Sequence, residues 1–147
     1  MIDNYQDYDD LGLYDSVIES LEINHKRKTI TFRLLKVVSR LDRNEGKNFT
    51  YKVKQGILTF EGVVFANVPY NLEVGEWSEF YRSALLTSSN LIERFKKKST
   101  GELKHIYLGI DNGNEFNKLD IVCNNFKLEL ESEEFILHDN FDWLYEE

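Results

Sequence analysis

From Tyr14 to Pro69, apolar and polar side chains alternate with the two-residue period of a β-strand, and this stretch limits the folds open to the chain. In its first arm, Asp15 to Asn24, Val17, Leu21 and Ile23 share one face with Glu19, while Ser20 and Glu22 share the other with Ile18. In the second, Thr29 to Val38, Ile30, Phe32 and Leu34 point one way and Thr31 and Arg33 the other. The four residues between the arms, His25-Lys26-Arg27-Lys28, leave room only for a hairpin turn. A polar loop, Arg40 to Asn48, leads to a third arm rich in β-branched and aromatic residues. It reads as two strands, Phe49 to Lys54 and Ile57 to Val68, with Gln55-Gly56 as a turn or bulge. Pro69, the only proline, ends the run because it cannot donate to a ladder.

The period then changes. Trp77, Phe80, Tyr81, Ala84 and Leu85 fall at helical spacing, which predicts a helix over Glu76 to Leu86 with Glu76 and Glu79 in its first turn. After a polar break at Thr87 to Asn90, Leu91, Ile92 and Phe95 predict a second short helical turn, stopped at Ser99-Thr100-Gly101. Strands return with Ile106, Leu108 and Ile110. The Asn112-Gly113 pair then marks a hairpin. Leu119, Ile121 and Cys123 share a phase, and Phe126, Leu128 and Leu130 are one step out of it; a bulge at Asn124-Asn125 absorbs the difference better than a turn. Phe135 to Leu137 reads as a short last strand. The expected fold is α+β: a mostly antiparallel, twisted β-sheet or sandwich of about six to eight strands, with one main helix inserted after the first group of strands.

A chain of 147 residues is one domain, with residues 1–10 as a frayed acidic arm. Its one cysteine excludes an internal disulfide. With no leader-like start, this predicts a reducing, cytoplasmic setting. No apolar run approaches membrane-spanning length. The net charge of −8 is unevenly spread. Residues 1–24 carry seven acids and no base, residues 25–54 ten bases and two acids, and residues 105–147 eleven acids and two bases. Such acidity argues against nucleic acid as the main partner and suits a basic protein.

Catalytic signatures are sparse. His25 lies among cations, and His105 alternates with Ile106 and reads as half exposed. Of the three histidines, only His138 has a carboxylate, Asp139, beside it in the chain. No H-x-x-x-H, H-x-H or C-x-x-C spacing occurs, so neither a metal nor another cofactor is expected. The Asp111 to Asp120 stretch lacks the ligand spacing of a calcium loop, and a hairpin explains it better. Cys123 reads as a small core hydrophobe. No nucleophile elbow, phosphate loop or dinucleotide fingerprint is present.

What stands out is acid mixed with aromatic residues at both chain ends. Asp7, Asp9, Asp10, Asp139, Asp142 and Trp143 are the candidate partner-binding residues, on the expectation that the two ends of a single domain lie close together. The alternative, that these are tails covering sheet edges, weighs slightly more. A second reading is a small-ligand or carbohydrate-binding β-domain using Trp77, Tyr81 or Trp143, and a third is an enzyme of unrecognised type.

Three segments carry a resemblance: Tyr14-Asp15-Ser16 opening a hairpin, Leu58-Thr59-Phe60-Glu61-Gly62-Val63, and Ile121-Val122-Cys123-Asn124-Asn125-Phe126-Lys127-Leu128. Together they resemble small bacterial β-rich families of unassigned or immunity function, some of whose members are thought to neutralise polymorphic toxins. Those families often open with His-Asp-Ser, where this chain has Tyr14. The resemblance implies a non-enzymatic, protein-binding role in the bacterial cytoplasm, as an immunity protein that blocks a basic toxin.

Overall fold

The expected first hairpin is present. β1 (Val17–Asn24) pairs antiparallel with β2 (Thr29–Arg43), from Asn24 opposite Thr29. The Asn24 side chain accepts the Arg27 N–H at 2.9 Å, and Lys28 takes the left-handed φ of 57° that closes the turn. The computed structural model describes residues 9–43, 49–69, 78–113 and 115–138. Its remaining elements are β3 (Phe49–Glu61), β4 (Phe65–Asn67), β5 (Glu79–Leu86), α1 (Asn90–Phe95) running into a 3-10 turn (Lys96–Lys98), β6 (Lys104–Asp111), β7 (Phe116–Cys123) and β8 (Asn125–His138). They form one eight-stranded antiparallel sheet in the order β4-β7-β6-β5-β1-β2-β3-β8.

Several expectations need correction; the break expected at Gln55-Gly56 is a register irregularity inside β3, which runs on to Glu61. The stretch expected to be the main helix is strand β5, paired with β6. Tyr81 is an extra residue between the Phe80–Ile110 and Arg82–Gly109 pairs. That bulge resets the phase, so Phe80 and Leu85, five positions apart, both reach the core. A bulged strand thus imitates helical spacing. The choice falls to pairing with the buried run of β6, because helix propensities differ by only about 0.7 kcal/mol per ordinary residue. The helix that does form is α1, where Leu91, Ile92 and Phe95 predict a short turn; Ser89 caps it by accepting the Ile92 N–H at 3.2 Å.

In β1, an irregularity around Glu19 puts Ile18 in the core cluster and leaves Ile23 46% exposed, against the expected phase. Asn124 is neither a turn between paired strands nor a bulge in one ladder. It is a corner at which the chain changes partners, from β6 and β4 on one side to β3 on the other.

This corner positions much of the molecule. β3 passes to β4 through Gly62, whose φ is 62° and whose missing Cβ would collide with the Asn124 side chain. Asn124 N–H donates to the Glu61 carbonyl at 3.1 Å, and Val64 N–H to the Val122 carbonyl at 2.9 Å. The two ends of the open sheet, β4 and β8, therefore meet at one corner, and the sheet curls around its main core, while a smaller cluster of Ile92, Leu103 and Val122 lies under α1. Phe32, Phe60, Phe80, Ile106, Leu108 and Ile121, from five strands, lie in the main core fully shielded from solvent. Phe32 packs edge-on to both Phe60 and Phe80, with centroids 6.2 and 5.3 Å away.

Candidate functional site

Of the six acidic and aromatic residues picked from the termini, Asp9 and Asp10 lie within the described residues; Asp7, Asp139, Asp142 and Trp143 lie outside them. Both described carboxylates are occupied by local bonds. Asp9 Oδ1 accepts the N–H groups of Leu13 (2.7 Å) and Tyr14 (3.1 Å) and the Ser83 hydroxyl (3.3 Å). Asp10 Oδ2 accepts the Leu85 N–H at 2.8 Å. The last two residues of the expected frayed arm are thus clipped to β5. β8 ends at His138, opposite Thr50 of β3. In the sheet order β1, β2 and β3 separate β5 from β8.

A second acidic group surrounds the β1–β5 contact. Asp15 sits at φ 64°, a region that Asp tolerates better than most residues, and its N–H donates to the Phe80 carbonyl. Burial, then the Asp15 charge, then Asp111 push the Glu79 carboxyl up to about 7. Burial and Asp9 raise Asp15 as well. Among the described residues no group of His, Cys, Asp and Glu is arranged to hold a metal.

His105 is buried, not half exposed. Its ring does alternate with Ile106, but the segment leading into α1 reaches it: Ser89 Oγ lies 3.0 Å from Nδ1 and Asp120 Oδ1 lies 2.7 Å from Nε2. A carboxylate can only accept, so Nε2 carries the proton, and in the neutral ring Nδ1 takes the Ser89 hydroxyl. Serine, imidazole and carboxylate thus form a chain, but Ser89 is already committed as the α1 cap. This unit staples the helix to β6 and β7. Burial also pushes the Cys123 thiol up to about 11, in keeping with an inert core residue. Tyr81 is no free stacking platform: its ring lies under the Arg82 guanidinium (4.4 Å), against Gly109, and edge-on to Phe116. Trp77 lies outside the described residues.

The surface with most to offer a partner is on β8. Phe126 and Leu128 pack on the core, but Leu130, next in phase, is 43% exposed. Lys54 pairs with Glu134 and Gly56 with Leu130, so residues 131–133 bulge outward opposite Gln55 alone. Gly56 lies close beneath this bulge: a Cβ there would come within 2.8 Å of Leu130 Cδ2 and push that side chain aside. Glu129 pairs with Lys127 (3.2 Å) and Glu134 approaches Lys52 (4.0 Å). Glu131 and Glu133 are exposed and have no ion-pair partner among the described residues. Phe135, 43% exposed, stands beyond them. The result is an acidic bulge between two exposed apolar side chains on an end strand of the sheet. Sequence alternation put Leu130 in phase with Phe126 and Leu128; the signal that sets it apart is four glutamates within residues 129–134.

Comparison with protein families, curated proteins and solved structures finds no match.

Proposed function

We propose that this protein is a non-enzymatic binding protein that docks a basic protein partner on the acidic bulge of β8. One observation carries the reading: Glu131 and Glu133, exposed and without an ion-pair partner among the described residues, lie between exposed Leu130 and Phe135. Apolar side chains supply contact area, and the surrounding acids select and attract a cationic surface. A bulge and charged side chains also disfavour simple strand addition at a sheet edge, so recognition is through side chains. The net charge of −8 adds long-range attraction for a basic partner. The finer reading, supported by the resemblance to immunity families, is that the partner is a toxin held in the cytoplasm.

Photo-crosslinking tests the site. p-Benzoylphenylalanine is placed at position 135 or, as a control, at position 116, which is more exposed still, in cells that make the protein. The expected result is a basic protein crosslinked from 135 and not from 116, with the adduct lost when Glu131→Lys and Glu133→Lys are added. An adduct with an acidic protein, or one indifferent to charge reversal, contradicts the reading.

A further inference from the structure

The Gly62 corner has a second consequence, on the side of the sheet's end away from β8. The last β2–β3 pair is Ile30 with Phe60. Beyond it β3 turns away at Gly62 to become β4, while the β1–β2 hairpin continues to its turn at residues 25–28. Val63 N–H donates to the Lys28 carbonyl at 2.9 Å, which ties the corner to the hairpin at one point. Past that tie the two segments part and leave a cleft of about 260 Å³. Its hairpin wall is Ile23 and Ile30 and its opposite wall Val63, Val64, Ala66 and Val68, while His25 and Lys28 also line it as exposed side chains of the turn. None of the lining residues is acidic, in a protein with 26 acids and 18 Lys and Arg.

We infer that this cleft is a binding site for a small amphipathic anion, with an apolar body between hairpin and β4 and its carboxylate at Lys28 and His25. The chemistry follows from the two kinds of wall. Branched aliphatic side chains facing each other across a gap leave apolar surface in water, and an apolar body entering the gap removes it. A basic rim with no acid among the lining residues favours an anion and rejects a cation. The volume lies just below the roughly 300–1,000 Å³ of pockets for drug-sized ligands, which limits the body to a short chain or single ring. This site is independent of the β8 surface, so either can fail without the other.

Octanoate, 1-octanol and octylamine share one apolar chain and differ in charge. Titrating each into the ¹⁵N-labelled protein and following amide shifts separates the contributions. The inference expects saturable shifts with octanoate confined to residues 23–30 and 63–68, with octanol at least about 5-fold weaker and octylamine weaker still, the discrimination expected of a charged rim. Ile23→Trp fills the cleft from a position exposed enough to accept the ring, and should abolish octanoate binding while the fold, followed by circular dichroism, is kept. Lys28→Asn removes the cation but keeps a residue that accepts a positive φ, and should bring octanoate to the level of octanol. No saturable shift with octanoate, equal affinity for all three probes, or binding unchanged by Ile23→Trp overturns the inference.

Discussion

Asp9 and Ser83, 74 positions apart in the chain, are joined by a hydrogen bond from the Ser83 hydroxyl to Asp9 Oδ1, 3.3 Å long. The same oxygen takes two backbone N–H groups of the turn that follows, so one carboxylate both shapes the entry to β1 and fastens it to β5. Asp9→Ala should therefore cost on the order of 1–3 kcal/mol, the range for bonds to a charged group. Asp10→Ala loses a single exposed bond and should cost less. Chemical denaturation of both variants checks the order. Equal and negligible losses would show that the segment is not held.

Glu79 gives the pH dependence its sign. Its carboxyl is raised from 4.5 to about 7, so the folded state holds this proton more tightly than the unfolded chain. The stability it contributes is fully present below about pH 4.5 and is lost as the pH rises through about 7. Glu79→Gln should flatten the stability profile between those values and raise stability above pH 7. The gain is on the order of 1 kcal/mol once discounted for the solvent that still reaches the group. Melting curves at pH 5 and pH 8 test this. A variant less stable than the parent at pH 8 would contradict it.

Phe80 is fully buried between Phe32 and the β6 side of the core. Phe80→Ala should destabilise by about 3–5 kcal/mol. A loss below about 1 kcal/mol would mean that β5 does not close the core.

The staple at His105 predicts a local effect. His105→Leu removes both bonds and strands Asp120, at a cost of about 1–3 kcal/mol. Hydrogen exchange should accelerate most in α1, because Ser89 loses the ring that fixes it. Uniform acceleration across the sheet would argue against a staple.

The legible parts of this fold were those with an uninterrupted period. The β1–β2 hairpin, the turn at Asp111 to Gly113 and the short α1 followed from alternation and turn chemistry. Phase arguments failed wherever one residue was inserted. The bulge at Tyr81 made a strand look helical, and the irregularity around Glu19 moved Ile18 inward. The partner change at Asn124 could not be read locally, since it depends on strands β3 and β6 far away in the chain. Neither could the cover over His105 or the exposure of Leu130. The acid in residues 129–134 was visible, but its grouping with exposed Leu130 and Phe135 is a product of the curl of the sheet.

The central claim is that a basic partner is held by the β8 bulge, and the measurement closest to it is the salt dependence of affinity for the crosslinked partner. Titration at several ionic strengths compares the parent with a Glu131→Lys, Glu133→Lys variant of unchanged melting temperature. The account predicts that the parent binds more weakly as salt rises, because charge steers and holds the partner. It further predicts that the double reversal weakens affinity at least about 10-fold, or roughly 1.4 kcal/mol, with most of the salt dependence gone. Equal affinities with parallel salt curves would contradict it and move the binding surface away from β8.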